Sequence, residues 1–101
     1  MSKFTIEHES SHNPKEAYEK IKKFLSNDED LKKFDAKLQS QFDDGSMTGS
    51  IKGSQFKADV AVVPAGAGSK VQVTIDLPML LMAFKGKIQE TMSKKLTKYL
   101  T

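Results

Sequence analysis

The sequence predicts an α+β fold in which an antiparallel β-sheet packs against a long C-terminal helix. Three observations lead there. Val71, Val73, Ile75 and Leu77 alternate with Lys70, Gln72, Thr74 and Asp76, the period of a strand with one buried face. From Pro78 the period changes, and Leu81, Phe84, Ile88, Met92, Leu96 and Tyr99 follow at spacings of three and four. That is an apolar stripe on a helix of roughly 20 residues, about 30 Å long. Upstream, two further alternating segments are separated by turn residues, which predicts a meander.

The remaining elements follow in chain order. Phe4 and Ile6 alternate with Lys3, Thr5 and Glu7, a short half-buried strand. Asn13-Pro14-Lys15-Glu16 is a helix start: Asn13 caps, Pro14 suits the first helical position, and Glu16 completes a capping box. Ala17, Ile21, Phe24 and Leu25 form the buried face of that helix, with Tyr18 at its margin. Ser26 with Glu29 has the form of a second capping box, after which Leu31, Phe34 and Leu38 continue at helical spacing. One kinked helix or two both fit residues 14–38. Asp43-Asp44-Gly45 and Gly53-Ser54 are turns around the alternating residues Met47, Gly49 and Ile51. Phe56, Ala58, Val60 and Val62 make the next strand, and residues 64–69 a flexible loop. A further strand around residues 39–43 completes the order β-α(α)-β-β-β(-β)-α. Asp76 is placed to cap the last helix, and Gly86 to let it approach a strand or a ligand closely.

Composition bounds the function. The 101 residues make a single domain, 1–101, with 38% hydrophobic and 29% charged residues. No apolar run approaches the length of about 18 residues that spans a bilayer. The opening Met1-Ser2-Lys3-Phe4 offers no secretory signal, and there is no cysteine, so the expected compartment is the cytoplasm. The net charge of +3 is uneven: residues 85–101 hold five lysines and Glu90, and residues 1–84 hold 11 lysines against 12 acids. Every basic residue is lysine, which argues against specific nucleic-acid recognition, since base and phosphate readers favour the guanidinium fork.

Asp76-Leu77-Pro78-Met79-Leu80-Leu81 followed by Phe84-Lys85-Gly86-Lys87-Ile88 resembles the C-terminal signature of the polyhydroxyalkanoic acid system proteins. These are small bacterial proteins often encoded near genes for polyester storage granules. Met79 stands where that family commonly has tryptophan. Gly45 to Gly49 resembles the family's glycine-containing meander, and Asn13 to Leu25 takes the place of its first amphipathic helix. The resemblance implies a cytoplasmic accessory protein of polyester metabolism, associated with storage granules or apolar ligands. It transfers no catalytic residue. The architecture also resembles a reduced helix-grip fold, whose larger relatives hold hydrophobic ligands between sheet and helix.

Candidate functional residues fall into two groups. Met79, Leu80 and Met82, with Met47 and Phe56, broaden the apolar surface and are the expected ligand-binding set for an acyl or polyester chain. The same residues would serve a self-association patch in a homo-oligomer. Lys94, Lys95 and Lys98, on a basic outer face with Lys85 and Lys87, are the expected surface-binding set for a granule. His8 and His12 straddle a strand end and a turn without further donors, so no metal site is expected. The carboxylate clusters Asp28-Glu29-Asp30 and Asp43-Asp44 coincide with a helix start and a turn. Gly66 and Gly68 precede a strand and not a helix, which removes a phosphate loop. No cofactor is expected. A hydrolase or cyclase working through Asp59, Tyr18 or Tyr99 is the enzyme alternative, and no spacing supports it.

Overall fold

In the computed structural model, which describes residues 2–54 and 57–100, the alternating C-terminal segment lies one strand in from the sheet's edge. The chain runs β1 (Ser2–Ser10), α1 (Pro14–Asn27), α2 (Glu29–Phe34), β2 (Gln39–Asp43), β3 (Thr48–Lys52), β4 (Lys57–Ala65) and β5 (Gly68–Leu77). A 3-10 helix over Met79–Phe84 then leads into α3 (Lys85–Leu100). The five strands form one antiparallel sheet in the order β1-β5-β4-β3-β2.

Register decides which side chains share a face. Phe4 lies opposite Ile75 and Ile6 opposite Val73, while Ala58, Val60 and Val62 meet Ile75, Val73 and Val71 from the other side. Directly opposed residues point the same way, so these side chains form one continuous apolar surface, and all are buried. Two helices cover it. Helix α1 contributes Ala17, Tyr18, Ile21, Phe24 and Leu25, and α3 contributes Met92, Leu96 and Leu100. The helices meet where the Phe24 and Tyr99 rings stack, 4.8 Å between centroids.

The helix caps separate expectation from outcome. Asn13 caps α1 as its sequence predicts: its side chain accepts from the Glu16 N–H at 2.8 Å and donates to the Glu16 carboxylate at 3.1 Å. At the next junction Asp28, not Ser26, is the cap. Its N–H closes α1 on the Phe24 carbonyl, and its carboxylate accepts from the Leu31 N–H at 3.0 Å to open α2. Residues 14–38 thus hold two short helices. The loop expected over residues 64–69 contracts to Gly66 and Ala67, with Gly66 at φ 57, where L-residues are strained. Met47 also departs from expectation: it sits in the β2–β3 turn at φ 55, and β3 begins one residue later.

The largest departure is at Pro78. The long helix does not start there, because Pro78 is extended (ψ 151) and the Leu81 N–H bonds back to its carbonyl, three residues away. A 3-10 helix turns about 120° per residue against 100° in an α-helix, so six residues shift the phase of a side-chain stripe by about 120°. Phe84, expected in the core, is consequently 54% exposed, whereas Leu81, Ile88 and Tyr99 are half-buried against the core. Asp76 makes no cap; it lies in β5 opposite Lys3 and Lys57. Gly86 approaches nothing, since a Cβ placed there meets no atom within 4 Å. Gly86→Ala therefore gains helix propensity without a clash, and is expected to stabilise the fold by about 0.5–1 kcal/mol in chemical denaturation. An unchanged or lower unfolding midpoint would contradict this placement of the glycine.

Candidate functional site

Beside the core, the sheet and the helices leave a gap. A cavity of about 210 Å³ opens between the end of β5, α2 and the start of α3. Ile75 and Leu77, which alternation points inward, back it almost fully buried, and its open apolar wall is Leu31, Phe84 and Ile88. Leu31 of α2 closes one side, and Ile88 and Met92, four residues apart on α3, close the other. Phe84 stands at the mouth, and the polar lining is confined to Asp30, Lys87, Thr91 and Lys95.

The wall of this cavity is held by charge. Lys95 Nζ lies 2.8 Å from Asp28 Oδ2 and 2.6 Å from Asp30 Oδ2. The Asp28 side chain is only 3% exposed, so the ammonium is its compensating charge as well as a tie from α3 to the α1–α2 junction. Hydrogen bonds donated to both carboxylates hold the Lys95 pKa well above the ordinary lysine range, and Lys95 in turn holds that of Asp30 below the carboxylate range. The raised lysine contributes stability below its ordinary pKa and loses it only as pH rises through the raised value. The depressed Asp30 contributes above the ordinary carboxylate pKa and loses it as pH falls. The tie therefore holds across the whole interval from about pH 4 to pH 10.

A second polar cluster joins α1 to the turn after β2. The buried Tyr18 hydroxyl donates to Asp44, which Lys22 also contacts at 3.0 Å. Burial foremost, then the hydrogen bond to Asp44, pushes the phenol well above its ordinary pKa, so Tyr18 is no base at neutral pH. Tyr99 is stacked on Phe24, and Asp59 sits in β4 opposite Ser50 and Thr74, so the three residues of the enzyme alternative lie on separate elements. His12 Nδ1 pairs with Glu16 at 3.3 Å. Among the described residues no three His, Asp or Glu side chains are grouped to hold a metal ion.

Of the expected ligand-binding set, Met79, Leu80, Met82 and Met47 are not among the residues that line the cavity. Met79 and Leu80 are 72% and 91% exposed on the 3-10 helix, and Met82 is half-buried against the core. Met47 is remote from them: its carbonyl accepts from the Val62 N–H, opposite Val71, six residues or about 20 Å along β5 from Leu77. Phe56 lies outside the described residues. The expected surface lysines also part company. Lys94 is exposed and paired with Glu90 at 3.0 Å, and Lys98 lies over the Tyr99 ring, but Lys95 is the interior tie just described. The cavity residues Ile75, Leu77, Ile88 and Met92 are legible in the sequence only as core. The one further signal is the row Lys87, Thr91, Lys95, polar residues at spacing four beside the apolar stripe.

Removing the tie is expected to be costly. Lys95→Met keeps the aliphatic stem but strands the Asp28 carboxylate, and should destabilise the fold by about 2–4 kcal/mol. Lys94→Met, in an exposed pair, should change stability by no more than about 0.5 kcal/mol. Equal unfolding midpoints for the two variants would remove the structural role of Lys95.

A family model described as "Putative polyhydroxyalkanoic acid system protein" matches residues 4–100. The chain is similar in structure to TTHA0849 from Thermus thermophilus, with a TM-score of 0.62, 15% identity and coverage of 98% of this chain and 94% of the other. It is similar to the di-domain ARO/CYC BexL of the BE-7585A biosynthetic pathway (TM-score 0.68, 10% identity), covering 99% of this chain but 45% of that one. It is also similar to Ara h 8.0201, with a TM-score of 0.55, 14% identity and coverage of 98% and 97%. At these identities the likeness shows the fold, an α+β helix-grip-like architecture. No curated protein sequence matches the chain. No described helix is long and apolar enough to cross a membrane.

Proposed function

The chain belongs to the polyhydroxyalkanoic acid system protein family, and on that premise we propose that it is a non-catalytic accessory of polyester-storage metabolism that holds a single apolar acyl chain between β5 and α3. The observation that carries this is the apolar cavity backed by Ile75 and Leu77. At protein-like packing density its 210 Å³ takes a saturated chain of roughly eight carbons. At about 0.8 kcal/mol per buried CH₂ the gross gain is about 6 kcal/mol. Lost rotational and translational freedom offsets much of that, which leaves weak, readily reversible binding. Such an affinity suits a carrier or sensor of medium-chain acyl groups in the cytoplasm, where such chains are made and consumed.

Titration with octanoate to several millimolar is expected to shift the methyl resonances of Ile75, Leu77, Ile88 and Met92 in NMR spectra. Ile88→Trp, which fills the cavity from a half-exposed position, should abolish those shifts while the protein stays folded. Unmoved resonances in the wild type at saturating octanoate would refute the reading.

A second reading is favoured by one observation. Met79, Leu80 and Phe84 project from the 3-10 helix next to Lys85 and Lys87, an apolar patch with a cationic border. In this reading the patch, and not the Lys94 to Lys98 face, seats the protein on a granule or on a second copy of itself. Leu80→Glu should reduce co-flotation with isolated polyester granules severalfold while leaving the octanoate shifts intact. A variant that floats as the wild type does would count against surface attachment, and size-exclusion chromatography of the two forms separates self-association from granule seating.

A further inference from the structure

The polar edge of the cavity is more informative than its floor. Lys87, Thr91 and Lys95 recur every fourth residue, so they form one row along α3, beside the apolar row of Ile88 and Met92. The two ends of the polar row differ. Lys95 is committed to Asp28 and Asp30, which also neutralises the acid at the cavity mouth. Lys87, eight residues away or about 12 Å along the axis, makes no ion pair among the described residues. Glu90, the acid one turn on, feels the Lys87 charge at a distance but pairs with Lys94. The first turn of α3 holds no acid to balance Lys85 and Lys87, although that end of a helix is the positive end of its dipole. Because α3 begins at Lys85 and not at Pro78, these two lysines oppose the helix dipole. Lys85 lies over the Phe4 ring, 5.3 Å from its centroid, which leaves Lys87 as the cation bordering the cavity without an ion-pair partner among the described residues.

We propose that the cavity selects single-chain amphiphiles with an anionic head, a carboxylate above all, whose tail packs on Leu31, Phe84 and Ile88 over Ile75 and Leu77 and whose head pairs with Lys87 at the mouth. The inference rests on the acyl-binding reading and adds the charge of the head group to it. The apolar floor cannot supply this selectivity, because its side chains offer a head group neither charge nor hydrogen bond. A neutral or cationic head of equal tail length would keep the tail contacts and lose, or reverse, the contact at Lys87.

The test compares octanoate, 1-octanol and octylammonium binding to the wild type, Lys87→Met and Lys94→Met by NMR titration at low ionic strength. Lys87→Met retains the stem that lines the cavity and removes the charge. Octanoate should bind the wild type roughly three- to fivefold more tightly than octanol, the range of one partly exposed charge pair, and octylammonium more weakly than either. In Lys87→Met the octanoate preference should vanish with octanol binding unchanged, and in Lys94→Met it should persist. Equal binding of all three amphiphiles, or a preference that survives Lys87→Met, would overturn the head-group assignment while leaving the cavity reading intact. Absence of binding by every amphiphile would overturn both.

Discussion

One carboxylate organises the helical side of this protein. Asp28 ends α1 through its backbone, begins α2 through one oxygen, and holds Lys95 of α3 through the other. Three helices that share no hydrogen-bonding ladder are thereby referred to one point. A buried charge of this kind carries a large desolvation cost, and the ammonium and the amide together offset it. The geometry has a directional consequence. With Lys95 drawn toward the α1–α2 junction, α3 crosses the sheet at an attitude set at its C-terminal half, where Met92, Leu96 and Leu100 seal the core. Its N-terminal half is held by the half-buried Ile88 and by Lys85 over the Phe4 ring, and that is where the cavity opens.

The sheet supplies the opposite requirement, a rigid floor. Ile75 sits between Phe4 of β1 and Ala58 of β4, fixed by two ladders, and Leu77 ends the same strand paired, among the described residues, with β1 alone. The site is thus built from a strand within the sheet, a pinned helix and a 3-10 entrance. In the proposed acyl-binding reading, selectivity is left to residues at the rim, where a charge costs little to present and a ligand's head can remain hydrated. The division resembles that of many apolar pockets, in which the interior supplies affinity and a few polar groups at the mouth supply orientation.

Much of this architecture is legible because it depends on local periods. Val71 to Leu77 reads as a strand since its alternation has no helical counterpart, and Asn13-Pro14 reads as a helix start because a cap needs only its own neighbours. The features that escape a sequence reading depend on distant partners or on spacings that two structures share. Leu81 and Phe84 are three apart, a spacing that fits a 3-10 turn and an α-helix equally, and only the Pro78 carbonyl bond distinguishes them. Asp28, Glu29 and Asp30 are each able to cap a helix, and the partner that makes Asp28 indispensable lies 67 residues away. A cavity is harder still, because it is made by what fails to pack. Ile75, Ile88 and Met92 carry no mark that separates a pocket wall from a core. The exposure of Met79 and Leu80 escapes a sequence reading too, because apolar residues in an apolar stretch read as core.

The pairing of β1 with β5 joins residues 2–10 to residues 68–77. Strands β2 to β5 are each tied to a sequence neighbour and can zip as successive hairpins on a microsecond scale. The first strand has no such neighbour: it must wait, its apolar Phe4 and Ile6 unsheltered, until some seventy residues have been made and ordered. Loop-closure entropy delays that last join. During synthesis the N-terminal strand is therefore the stretch most in need of protection from stray pairing.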